Sequence, residues 1–90
     1  MILYTAAYYP DPKSGWYSAS VLDFPGVLSQ GKNLEHARRM LGDALRDMTE
    51  WYLEDGLALP KPQPGISDPE AAVLEPIELV IRARPGVKAR

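Results

Sequence analysis

The chain has 90 residues, 46% of them hydrophobic and 24% charged, the balance of one folded domain with a modest core rather than of a disordered or membrane-embedded chain. Its formal net charge of −2 gives no global reason to bind nucleic acid, because phosphate recognition relies on concentrated positive charge. With no cysteine, disulfides, thiolate ligands and a thiol nucleophile are excluded, which fits a reducing compartment.

Residues 1–6 lack the basic flank and longer apolar core of a signal peptide, and no apolar run approaches the ~20 residues that span a bilayer. The expected location is the cytoplasm. Residues 2–9 are rich in β-favouring types, and Pro10-Asp11-Pro12-Lys13-Ser14-Gly15 is a dense turn signal ahead of Trp16, which predicts a hairpin. In the second strand Tyr17, Ala19 and Val21 alternate with Ser18 and Ser20, a period of two that buries one face and wets the other. Asp23-Phe24-Pro25-Gly26 then reverses the chain, since proline fixes φ and glycine tolerates positive φ. Residues 27–30 return as the third strand of an antiparallel meander.

Gly31 ends that strand, Asn33 is suited to cap a helix beginning near Leu34, and Glu35 lies in its positive first turn. At about 100° per residue, Leu34, Ala37, Leu41, Ala44, Leu45, Met48, Trp51 and Tyr52 share roughly one third of the circumference and are expected to face the sheet. Glu35, His36, Arg39, Asp43, Arg46, Asp47, Glu50 and Glu54 form the opposite, solvated face. Gly56 is the expected helix stop. Residues 57–65 hold too many prolines for a helix or central strand and predict an extended connection. Ser67-Asp68-Pro69-Glu70 resembles a short helical turn opened by a cap and a proline. Residues 76–82 alternate and complete the sheet, and residues 83–90 form a short tail with Arg84, Lys88 and Arg90. The expected organisation is therefore one α+β domain over residues 1–82, β-β-β-α-β in order, with a long helix on one sheet face.

Catalytic chemistry finds little support. His36 is the only histidine and lies on the charged helix face without a second histidine or cysteine nearby, where an isolated imidazole lacks the positioned partners that catalysis needs. No G-x-S-x-G nucleophile motif is present. Asp43, Asp47, Glu50 and Glu54 line one helix side but are interspersed with Arg39 and Arg46, the pattern of a solvated face more than of a hard-cation site. Gly26 and Gly31 do not make a phosphate-binding loop. No enzyme activity, cofactor or metal is expected.

The aromatic residues Tyr4, Tyr8, Tyr9, Trp16 and Tyr17 gather in the hairpin with few basic side chains beside them, which favours cross-strand packing or a protein interface over base stacking. Tyr8, Trp16 and Tyr17 are the candidate interface residues. One helix on a four-stranded sheet leaves the other face and an edge open, and open edges pair with other chains. A homo-oligomer, dimer or tetramer, is expected.

At Asp23-Phe24-Pro25-Gly26, Gly31, Asn33-Leu34-Glu35-His36-Ala37 and Leu59-Pro60-Lys61-Pro62, the chain resembles the HicB-like family of type II antitoxins. Asn33 stands where that family commonly has threonine and His36 where it has glutamate. Asparagine keeps the capping chemistry, whereas His36 loses the acidic half of a capping box. The resemblance implies a fold similar to a truncated ribonuclease H core without its catalytic acids. It also implies a partner, a small HicA-like RNA-cleaving toxin, neutralised by steric cover with acidic side chains complementing its basic surface. Many members append a DNA-binding domain; here the sequence stops soon after Arg82, so no direct DNA binding is expected. An orphan oligomeric module for another protein or a small ligand is the alternative. An RNA-acting enzyme, which needs convergent carboxylates, is disfavoured.

Overall fold

The computed structural model describes residues 1–81; Arg82 and the expected tail lie outside them. The order is β1 (Leu3–Pro10), β2 (Tyr17–Val21), β3 (Leu28–Gly31), α1 (Leu34–Glu54) and β4 (Val73–Glu78). The four strands form one antiparallel sheet in the order β3-β2-β1-β4, so the last strand returns beside the first. This is the β-β-β-α-β architecture that the alternating pattern and the single long amphipathic helix predict.

Alternation assigns the faces. Tyr4, Ala6 and Tyr8 of β1 and Ala19 and Val21 of β2 point toward α1 and are buried with Ala37, Leu41 and Leu45 of the helix. Leu34, Ala44, Met48 and Tyr52 pack against this core from partly buried positions. Trp51 departs from expectation: it is 52% exposed, because the helix overhangs the narrow β3 edge and no strand lies beneath its outer rim. Thr49, absent from either predicted face, is buried, with no hydrogen-bond partner for its Oγ1 among the described residues.

The helix start rests on Asn33, whose Oδ1 accepts from the His36 N–H at 2.8 Å. His36 reaches back toward the helix entry, its Nδ1 accepting from the Lys32 N–H at 3.0 Å, one residue before the cap, where the glutamate of a capping box would take the N–H of the cap residue itself. Gly31 has a packing reason: a Cβ there would stand 2.3 Å from the Ala37 nitrogen, so only glycine lets β3 pass this close to the helix. Gly56 follows the helix at φ +69°, its N–H donating to Leu53 O.

Two expectations after the helix are corrected. Residues 67–70 form no helix, only a turn in which Ala71 N–H donates to Asp68 O and the Asp68 carboxylate takes the Glu70 N–H. Asp68 thus closes the turn with both its carboxylate and its carbonyl. β4 spans Val73–Glu78 rather than residues 76–82, so Pro76 sits inside the strand. Proline is tolerated there because β4 is an edge. The connection of residues 57–72 also limits the open sheet face. It is tied at Tyr4 Oη to Pro60 O (2.7 Å), at Gln63 N–H to Asp23, and at Tyr9 Oη to Asp68 Oδ2 (2.7 Å).

Candidate protein-interaction site

The segment after β2 is built around two buried side chains. Asp23 is 2% exposed and its carboxylate accepts the Thr5 N–H at 2.8 Å and the Gln63 N–H at 3.0 Å. One carboxylate thus joins the central strand to the proline-rich connection, and both oxygens are satisfied, as burial of a charged group requires. Phe24 is fully buried between the rings of Tyr4 (5.4 Å between centroids) and Tyr52 (5.1 Å, edge-on), geometry favoured by the ring quadrupoles. Pro25 is exposed and Gly26 adopts φ +92°, a conformation that costs glycine nothing. The turn therefore locks the helix end, the sheet and the connection together.

At the other end of the sheet, Arg38 reaches from α1 to Glu75 of β4, its Nε and Nη2 each 2.9 Å from a carboxylate oxygen, and also contacts Glu35 at 3.2 Å. The forked geometry is specific to arginine, and Glu75 raises the Arg38 pKa further. The neighbouring Tyr8 phenol is pushed up to about 12, first by burial and then by the charge of Glu75, which Arg38 partly offsets. Neither Arg38 nor Glu75 stands out in sequence: 37 residues separate them, and only the fold brings them together.

The three candidate interface residues are treated differently. Tyr8 is 1% exposed and belongs to the core, because β1 alternation turns it toward α1; it has no surface to offer a partner. Tyr17 is half-buried and packs on the same core from the hairpin end. Trp16 is 39% exposed at the hairpin tip, its backbone fixed by Asp11 N–H to Trp16 O (2.7 Å) and by Trp16 N–H to Ser14 Oγ (3.1 Å). Of the three, Trp16 alone presents a broad surface on a fixed backbone.

The apolar surface that sequence reasoning missed lies at the β3 edge. Gly26, Val27, Leu28, Ala44, Asp47, Met48 and Trp51 line a shallow groove of about 470 Å³, and Leu28 on its rim is 68% exposed. A second depression of about 420 Å³ lies between Leu3, Thr5, Leu74 and Pro76, with Pro64 on its wall. Among the described residues no group of three or more histidines, cysteines or carboxylates is placed to hold a metal ion, and no helix is long and apolar enough to cross a membrane.

Comparison with known proteins gives these surfaces a context. Residues 3–83 match the model of a family described as HicB-like antitoxin of bacterial toxin-antitoxin systems. Antitoxin HicB of Escherichia coli strain K12, and likewise that of strain O157:H7, is 34% identical over 61 residues, which is 68% of this chain and 44% of the relative. The match thus spans less than half the length of these relatives. The N-terminal domain of the Burkholderia pseudomallei antitoxin HicB superposes with a TM-score of 0.73 at 23% identity, covering 89% of this chain and all of that one. The crystal structure of the B. pseudomallei antitoxin HicB gives a TM-score of 0.77 at 22% identity over 100% of this chain and 74% of the other. At such identities the likeness is one of fold.

Proposed function

Because the chain belongs to the HicB-like antitoxin family, we propose that it is a non-enzymatic antitoxin that binds a small, basic, HicA-like RNA-cleaving toxin and neutralises it by covering its RNA-binding or catalytic surface. The observation that carries this reading is the family match across residues 3–83, nearly the whole domain proposed for residues 1–82. Two surface features support it. Trp16 offers an amphipathic aromatic anchor on a hydrogen-bonded tip, the residue type most often dominant in protein interfaces. Beyond the Arg46–Asp43 ion pair (2.9 Å), the outer side of α1 carries Asp47, Glu50 and Glu54, and its last turn has no basic residue, so the negative end of the helix dipole adds to an acidic C-terminal half suited to a basic partner. We place this action in the cytoplasm, where such a toxin meets RNA.

Co-expression with the toxin tests the proposal. The expected result is a complex that co-purifies and in which RNA cleavage is lost; a toxin that neither co-purifies nor loses its ribonuclease activity overturns it. Trp16→Ala is expected to weaken the complex by roughly tenfold or more without changing the circular-dichroism spectrum.

A further inference from the structure

Strand alternation divides the exposed side chains between the two sheet faces. Tyr17, Ala19 and Val21 of β2 pack toward α1, so Ser18 and Ser20 point the other way, and Trp16 precedes them in the same outward series. On the neighbouring strands Tyr9 and Gln30 stand opposite Ser18, and Leu28 stands opposite Ser20. Opposed residues share a face, which places all three on the outward side. Trp16 is 39% and Leu28 68% exposed, and the short side chains of Ser18 and Ser20 lie low along the path from one to the other.

The connection between α1 and β4 walls this face on one side. Tyr9 Oη donates to Asp68 Oδ2 at 2.7 Å. The phenol is raised first by burial and then by that bond, with the Ser20 hydroxyl opposing and the charge of Glu70 adding to the rise. Asp68 and Glu70 therefore stand beside the serine floor, over β1, and the β2 and β3 side is left open. Strands β1, β2 and β3 contain no charged residue; Lys13 and Lys32 lie in the segments that follow β1 and β3. Among the described residues neither Asp68 nor Glu70 has a cationic partner. The Asp68 carboxylate meets only the Tyr9 hydroxyl and the Glu70 amide.

We propose that the toxin docks on this open half of the sheet face, with its apolar contacts on Trp16 and Leu28 and its basic side chains against Asp68 and Glu70. The inference rests on the antitoxin reading and adds to it the face that meets the partner. Charge complementarity selects a basic protein as the occupant. Lysine and arginine stems can lie across the low serine floor while their heads reach carboxylates that no cation of the domain neutralises. The acidic C-terminal half of α1 lies on the other side of the sheet, so it speeds encounter through its field without touching the docked partner.

Surface plasmon resonance of the full chain against the toxin tests the proposal. Ser18→Arg fills the floor and repels basic side chains, and Glu70→Lys reverses the wall. Both positions are exposed, and each variant is expected to weaken the complex by roughly thirtyfold or more with the circular-dichroism spectrum unchanged. Glu54→Lys, on α1, is expected to slow association severalfold at low salt and to leave dissociation unchanged. Folded Ser18→Arg and Glu70→Lys variants that bind as the parent does overturn the docking face, while the parent's own binding keeps the antitoxin reading intact. Faster dissociation from Glu54→Lys alone has the same consequence and moves the toxin to the helix side. A Ser18→Arg variant that keeps its toxin but falls in sedimentation mass overturns the docking face by assigning it to a second copy. A parent chain that binds no toxin overturns both readings.

Discussion

The two turns that flank β2 are built from the same residue types and do different work. In the first, Asp11 stays at home: its carboxylate accepts from the Lys13 N–H at 3.0 Å and the Ser14 hydroxyl at 2.9 Å, and the whole loop from Pro10 to Trp16 is exposed. In the second, Asp23 accepts amides 18 and 40 residues away and Phe24 enters the core. Proline, glycine and aspartate announce a reversal in both cases. Whether the aspartate closes its own loop or ties distant segments depends on what the fold places above it. The first turn is a local structure that a partner can reach; the second is a tertiary lock.

The sharpest way to break this contrast is Phe24→Ala. Emptying a fully buried site between Tyr4 and Tyr52 is expected to cost about 3–5 kcal/mol, a large part of the ~5–15 kcal/mol that holds a domain of this size together. Urea unfolding followed by circular dichroism reads the loss, and a cost below about 1 kcal/mol would show that the second turn is no lock. Asp23→Ala comes next. It strands the Thr5 and Gln63 amides, for an expected loss of about 2–4 kcal/mol, whereas Asp23→Asn keeps one acceptor oxygen and should fall between the two.

These expectations mark where sequence reading succeeds and where it stops. The meander, the Asn33 cap and the buried stripe of α1 are legible because each depends on neighbours within about four residues, through a period of two, a period of 3.6 or a capping oxygen. Asp23-Phe24-Pro25-Gly26 was readable as a reversal, but the depth of Phe24 and the two partners of Asp23 were not, since nothing local reports which segment will lie over a turn. Trp51 failed for a related reason. Its place on the apolar arc is real, yet the sheet ends at β3 and leaves that rim uncovered. Pro76 misled in the other direction, suggesting a strand start where it occupies an outward position in mid-strand. The Arg38–Glu75 fork joins residues whose surroundings in sequence give no hint of each other. Of the interface candidates, strand alternation alone removes Tyr8 once the helix is known to lie on the Tyr4 and Ala6 side.

The hairpin end of the sheet has a tertiary tie of its own, but it runs through the strands beneath the loop, and alkaline titration should reveal it. Burial and Glu75 raise the Tyr8 phenol to about 12, above its ordinary value near 10. The folded state therefore holds this proton more tightly than the unfolded chain. Its contribution to stability is complete below pH ~10 and is lost as pH rises from there through about 12. The unfolding midpoint is expected to fall over that window, and Tyr8→Phe should flatten the fall. A Tyr8→Phe variant with the same alkaline decline as the parent would place the sensitivity elsewhere.

Asp11→Ala supplies the smallest effect and the control on all the others. The Asp11 carboxyl is held below its ordinary range chiefly by the Lys13 amide and then by the Ser14 hydroxyl, but both partners are exposed and water replaces them readily when the side chain is removed. The unfolding midpoint should stay close to that of the parent chain, far above that of Asp23→Ala. The loop would nonetheless lose the bonds that shape it just ahead of Trp16, whose own amide rests on the Ser14 hydroxyl that Asp11 orients. If the Trp16 tip is the toxin-facing surface, Asp11→Ala should weaken the complex severalfold while leaving stability almost untouched, because a pre-ordered anchor loses less entropy on binding than a loose one. Equal losses of stability from Asp11→Ala and Asp23→Ala would erase the distinction between the two turns, and an unchanged complex would move the partner away from the hairpin tip.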